Sequence, residues 1–256
     1  MDARTWTIER WLAPCVVVVA TTMAFLPTLA NGFLAWDDAT NFLKNPHFRG
    51  LGWQQLRWMF TTFLLGPYQP LSWVTLGLDY LIWGMNPFGY HLTNLILHAA
   101  NALVFYYLAR RLLSMTLAAA HEEFSLQFGA SLAALFFALH PLRVESVAWV
   151  TERRDVLSGL FFLLTLWCYV NMAQAATASG YKKWLSATLA LYVLSLLSKA
   201  TALTLPVVLL VLDVYPLRRM GGEVREWFAQ AAHKVWLEKL PFVLLAALAG
   251  WVALLG

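Results

Sequence analysis

WLAPCVVVVATTMAFLPTLA, residues 11–30, runs straight into NGFLAWDD, residues 31–38. About 20 consecutive apolar residues suffice to cross the hydrocarbon core of a bilayer, so residues 11–30 are expected to span it. Arg4 and Arg10 precede the run, which predicts a cytoplasmic N-terminus. Asp37 and Asp38 then fall at the membrane surface on the far side. Pro27 and Thr28-Leu29-Ala30 make a poor signal-peptide cleavage site. A lipoprotein signal is excluded because Cys15 stands near the start of the apolar run, ahead of most of it, rather than after it. The segment is read as an uncleaved first span.

The whole chain fits this reading. It has 256 residues, 60% of them hydrophobic and only 12% charged, where a soluble domain carries roughly 25% charged residues. The 13 Trp and 9 Tyr suit the aromatic belts at membrane interfaces. The net charge of +4 calls for no nucleic-acid partner, because the basic residues cluster at the ends of apolar runs. Cys15 and Cys168 both lie inside such runs, so no disulfide framework is expected.

Further spans are expected at 90–113, 124–139, 156–173, 184–198, 202–217 and 237–256. This gives an all-α, polytopic helix bundle of roughly seven spans, read as one membrane domain over residues 1–256. Arg110-Arg111, Lys182-Lys183 and Arg218-Arg219 then all fall on the cytoplasmic side, and three separate loops agree with one orientation. Residues 31–89 form the first outer loop. Within it, 52–63 read as an amphipathic helix that either lies on the membrane or packs in a small outer subdomain. Residues 71–84 contain Asp79 and read as an interfacial or re-entrant helix. Residues 223–239 read as an amphipathic cytoplasmic segment. The chain shows no internal repeat.

One outer connection breaks the rule that outer loops are poor in cations. Residues 140–155 carry His140, Arg143, Glu145, Glu152, Arg153, Arg154 and Asp155. The planar fork of arginine suits phosphate, so this loop points to an anionic partner. The plainer reading is a set of internal pairs, Arg143 with Glu145 and Arg153 or Arg154 with Glu152 or Asp155. Lys199 lies at the same side between two spans, either as a second contact to the anion or as a snorkelling lysine. His91, Asn94, His98 and Asn101, at offsets 0, 3, 7 and 10, share one helix face. Such polar groups in spans usually bond neighbouring helices, which is the role expected of His98 and Asn101. His91, at the outer end, is the better candidate for a site. No His, Cys and carboxylate cluster has ligand spacing on one element, so no metal is expected. On an extended segment adjacent side chains point opposite ways, so only one of Asp37 and Asp38 is expected to face a site.

Trp36-Asp37-Asp38 with Asn45-Pro46, His91-Leu92-Thr93-Asn94 with His98-Ala99-Ala100, His140-Pro141-Leu142-Arg143-Val144-Glu145-Ser146-Val147-Ala148-Trp149, Arg154-Asp155-Val156-Leu157 and Leu197-Ser198-Lys199 together resemble a known group. Their order and spacing look like the transmembrane-and-TPR O-mannosyltransferases and their bacterial relatives, within the GT-C glycosyltransferases. The resemblance implies a GT-C-like bundle in a bacterial inner membrane. It implies transfer of a sugar from a polyprenyl-phosphate donor to a protein or glycan acceptor on the extracytoplasmic side. It implies a catalytic base at Asp37 or Asp38, and His140, Arg143, Arg153, Arg154 and Lys199 as holders of the departing phosphate. His91, Glu145 and Asp155 are further site candidates. The group often has an acidic residue after the lysine, where this chain has Ala200. Its members continue into more spans and helical repeats, so this chain is expected to be the N-terminal part of a longer architecture. A transporter or flippase of an anionic substrate is the competing reading. It would place ionisable groups near the midplane, yet spans 1, 4 and 5 have none in their interiors. A scaffold without chemistry is the third.

Overall fold

A computed structural model describes residues 3–117, 123–221 and 223–256. The side chains of Arg4 and Arg10 lie outside what is described. Among the described residues there are ten α-helices: α1 Ala3–Phe25, α2 Trp53–Thr61, α3 Pro70–Trp83, α4 Pro87–Thr116, α5 Glu123–Leu139, α6 Arg143–Ala148, α7 Arg153–Ala173, α8 Ala178–Ser198, α9 Leu205–Val214 and α10 His233–Ala253. No strand occurs among the described residues. Each predicted span overlaps a helix. Four segments are long and apolar enough to cross a membrane: Trp11–Ala30, Pro87–Thr116, Val150–Ala173 and His233–Ala253. Glu123–Leu139 and Ala200–Val214 are shorter apolar helices. The protein is an all-α membrane helix bundle.

The centre of the bundle is α4. Asn86 caps it by accepting from Phe88 N at 3.1 Å, and Pro87 occupies the first turn, where a missing N–H costs nothing. Its polar stripe is buried and bonds outward, as expected for His98 and Asn101. His98 Nε2 contacts the Ala138 carbonyl of α5 at 2.9 Å, and Asn101 Nδ2 donates to the Val156 carbonyl of α7 at 2.7 Å. Between α6 and α7 the chain passes into a 3₁₀ turn, Val150–Glu152, and carbonyls there take further donors, although Trp149 O still accepts from Glu152 N at 3.1 Å. Asn94 Nδ2 donates to two of them, Val147 O at 3.3 Å and Trp149 O at 3.2 Å. A broken helix is tolerated at membrane depth only where the freed backbone is satisfied in this way. Between α7 and α8, Ser158 and Ser195 each donate to the other's carbonyl, at 3.1 and 2.9 Å. Their small side chains permit that approach.

The segment between α1 and α4 folds on an aromatic core. Phe42, Phe48, Met59, Trp73, Leu76, Tyr90 and Val150 are buried together. Helix α2 presents Met59 to this core while Trp53 and Phe60 stay exposed, so it packs as part of a small subdomain. Gly77 lets α3 approach the loop: a Cβ there would stand 2.8 Å from the Gly50 carbonyl. Gly50 itself sits at φ +111°, a conformation that only glycine takes without strain.

Three expectations need correction. Lys182 and Lys183 lie in the first turns of α8 rather than in a loop, because Thr177 caps the helix by accepting from Gly180 N at 3.1 Å. Residues 35–36 form a turn, and Asp37 and Asp38 begin a helical segment, with Asp38 at φ −60° and ψ −30°, so the pair is not extended. Residues 223–239 form no single amphipathic helix: Val224–Phe228 and Gln230–Ala232 are 3₁₀ turns, and α10 starts at His233. Helix α10 runs through Glu238 and Lys239 because both enter a buried network. Lys239 Nζ lies 2.5 Å from Asp213 Oδ2, and Arg219 bridges Asp213 Oδ1 at 2.9 Å and Glu238 Oε2 at 2.5 Å. The Tyr169 hydroxyl donates to Asp213 at 2.6 Å. Two acids and two bases thus join α7, α9 and α10 with charges balanced, as buried charge requires.

Candidate active site

The two adjacent carboxylates have different fates. Asp38 is fully buried. Its Oδ1 accepts from both Thr151 N at 3.2 Å and Thr151 Oγ1 at 2.6 Å, and its Oδ2 accepts from Leu34 N at 2.9 Å. A buried carboxyl group needs such donors to offset its desolvation. Asp37 is half-buried, next to Trp36, which is 75% exposed. It has no hydrogen bond or ion pair among the described residues. The backbone of the same loop is held by Asn45 Nδ2 to Asn41 O at 3.2 Å and by Arg49 Nη2 to Leu43 O at 3.0 Å.

The arginines also divide. Arg153 is wholly buried and faces inward. Its guanidinium reaches Asp79 Oδ2 at 2.6 Å and the Tyr90 carbonyl at 2.8 Å, and its Nε contacts Asn94 Oδ1. It therefore braces α3 and α4 against the start of α7, and the acid in α3 is there to balance it. Arg154 and Lys199 gather on Glu152. Arg154 Nε lies 3.1 Å from Glu152 Oε1, and Lys199 Nζ lies 2.9 Å from Oε2. Lys199 also pairs with Asp155 Oδ1, whose Oδ2 accepts from Ser146 Oγ at 3.1 Å. Lys199 is thus neither lone nor merely snorkelling. It ties the end of α8 to the start of α7.

Arg143 is the uncommitted cation of the group. It forms no pair with Glu145 and lies over the Phe137 ring at 4.5 Å. With Asp155, Ser146, His98, Asn101 and Thr201 it lines a cavity of about 410 Å³ between α4, α6, α7 and the 200–204 turn. That volume is within the usual range for a small-molecule site, about 300–1,000 Å³. Asn101 Oδ1 is buried and has no hydrogen-bond partner. The cavity presents a cation, a free acceptor and an apolar wall of Phe137 and Phe162. Asp37 and Asp38 do not line it.

The remaining candidates stand apart. His140 Nδ1 accepts from Leu142 N at 3.3 Å within its own turn. Glu145 is exposed, and among the described residues its carboxylate pairs with nothing. His91 is buried beside the acidic loop, with the Gly32 backbone and the Asp38 carboxyl near its ring. No group of three His, Cys, Asp or Glu is placed to hold a metal ion among the described residues.

Sequence reading missed Thr151, the Asp79–Arg153 pair and the Asp213 network. A signal existed for the last two, since an acid inside an apolar helix needs a cation nearby. For Thr151 there was none.

Comparison with known proteins finds relatives named protein O-mannosyl-transferase. The chain is 32% identical over 211 residues to protein O-mannosyl-transferase Tmtc2 of Drosophila melanogaster, covering 78% of this chain and 21% of that protein. It is 31% identical over 204 residues to protein O-mannosyl-transferase TMTC1 of Homo sapiens, 73% of this chain and 22% of that one. It is 33% identical over 157 residues to protein O-mannosyl-transferase TMTC2 of Mus musculus, 60% of this chain and 17% of that one. The matched region is therefore about a fifth of these relatives' length. No protein-family model and no solved structure matches. Similar to them over most of its own length, the chain is a relative of the protein O-mannosyl-transferase group.

Proposed function

We propose that this chain carries the outer-face donor site and the base of a GT-C-like glycosyltransferase. The sugar moves from a polyprenyl-phosphate carrier to an acceptor hydroxyl outside the cytoplasm. The relatives' name, protein O-mannosyl-transferase, supports mannose as the sugar and a protein as the acceptor. The observation that carries the reading is the split of the acidic pair: Asp38 is consumed by three donors, while Asp37 is half-open and unpartnered.

Asp37 takes the proton of the acceptor hydroxyl as that oxygen attacks the anomeric carbon. The bond from that carbon to the phosphate oxygen breaks, and the carrier leaves as polyprenyl phosphate. Charge developing on the leaving oxygen is what fixed cations stabilise. Arg143, which pairs with no acid among the described residues, is free to bind the donor's phosphate before that charge develops. Arg154 and Lys199 meet it by sharing themselves between the phosphate and Glu152. Arg153 has no part in this contact, since its donors are spent on Asp79, Tyr90 and Asn94.

The test is transfer from radiolabelled polyprenyl-phosphate mannose to a Ser/Thr-rich peptide, with the full chain in proteoliposomes. Asp37→Asn is expected to lower kcat by about 10²- to 10⁴-fold, the usual worth of a general base, at unchanged membrane accumulation. Full activity in Asp37→Asn removes Asp37 as the base. No transfer by the parent chain removes the enzyme reading.

A further inference from the structure

We infer that Thr151 is a positioning residue for this reaction: its hydroxyl fixes the acidic loop so that Asp37 is held in register with the cations gathered on Glu152. The inference rests on the transferase reading above.

The Thr151 hydroxyl has both of its roles filled from one loop. It donates to Asp38 Oδ1 at 2.6 Å and accepts from Asn41 Nδ2 at 3.1 Å. Asp38 and Asn41 lie more than a hundred residues earlier in the chain. The side that Thr151 belongs to is held firmly. Val150 before it is fully buried in the aromatic core. Glu152 after it carries Lys199 and Arg154. Arg153, next again, is bonded to α3 and α4. Residues 31–38 are anchored at Phe33, whose ring packs on Phe42 and Tyr90 at 5.6 and 5.4 Å, and at the acidic end by the Asp38 carboxyl. Apart from Leu34 N, the Asp38 carboxyl is held by Thr151 alone.

Thr151 and Glu152 are consecutive, so one short stretch of backbone gathers the acidic loop on one side chain and the cations on the next. Loss of the hydroxyl leaves Asp38 bound to two backbone amides. That suffices to keep the loop docked and lets it pivot. Asp37, one residue away, moves with it. A displacement on the order of 1 Å between reacting groups costs about 10²-fold in rate.

The experiment compares Thr151→Val, which keeps the shape, with Thr151→Ser, which keeps the hydroxyl. Both are assayed as full chains in proteoliposomes with radiolabelled polyprenyl-phosphate mannose and the Ser/Thr-rich peptide. Thr151→Val is expected to lose about 10² in kcat while the KM for the lipid donor moves by no more than about twofold. Thr151→Ser is expected to regain most of that loss. Parent-like kcat in Thr151→Val overturns the inference, and so does a Thr151→Ser variant as impaired as Thr151→Val. Should Thr151→Val fail to accumulate, Asn41→Ala decides. A kcat loss of about tenfold at constant KM supports the inference, and no loss overturns it. Asp37→Asn separates the two levels. If it is inactive while Thr151→Val is unimpaired, only the positioning role falls. If it is fully active, the base assignment falls first.

Discussion

Lys199 Nζ stands 2.9 Å from Glu152 Oε2, and the other oxygen of that carboxylate holds Arg154. Glu152 is buried, and it keeps two cations from α7 and the end of α8 side by side before any anion arrives. An incoming phosphate need not assemble them, because their mutual repulsion is already offset.

Replacing Lys199 by Met is expected to lower kcat for transfer by about 10²-fold, the cost of one lost electrostatic contact to a developing charge. Asp155 keeps its bond from Ser146 and Glu152 keeps Arg154, so the protein should still accumulate. Steady-state kinetics with the labelled lipid donor checks this. An effect on KM alone would mean that Lys199 binds the ground state and not the leaving group.

Arg143→Ala should raise the KM for the lipid donor by about 10- to 100-fold, the worth of a charged hydrogen bond of roughly 1.5–3 kcal/mol. The lost stacking on Phe137 costs the fold only about 0.5–1 kcal/mol, so the thermal midpoint in detergent should barely move. A large fall in that midpoint with no change in KM would make Arg143 a packing residue.

Arg153→Met leaves Asp79 buried and unpaired, and should destabilise the protein by about 3–5 kcal/mol. The double variant Arg153→Met/Asp79→Asn should recover much of that, because no lone charge remains. Denaturant titration in detergent measures the cycle. Transfer activity should return with stability. A double variant that is folded but inactive would put Arg153 back at the phosphate.

The apolar helices were legible because an apolar run of membrane length has few other readings; each of the seven expected runs overlaps a helix, and four segments among the described residues are long and apolar enough to cross a membrane. The stripe on α4 was legible for the same reason, since polar side chains in a span at helical spacing must find partners. What the sequence left open was the division of labour among neighbours. Asp37 and Asp38 are identical in type and adjacent, as are Arg153 and Arg154. Which member is buried depends on contacts from more than a hundred residues away for Asp38 and from Asp79 for Arg153. Pattern and propensity are local and carry no such information. Residues 223–239 show the same dependence: the charges of Glu238 and Lys239 are cancelled inside the bundle by Asp213 and Arg219, which lie outside that segment.

That cancellation constrains how this region can change over evolutionary time. With Asp213 and Lys239 both inside the bundle, neutralising either one strands its counterpart in a low-dielectric interior. Descendants that lose one member are therefore expected to lose or swap its partner in the same lineage, so positions 213, 219, 238 and 239 should vary as a unit.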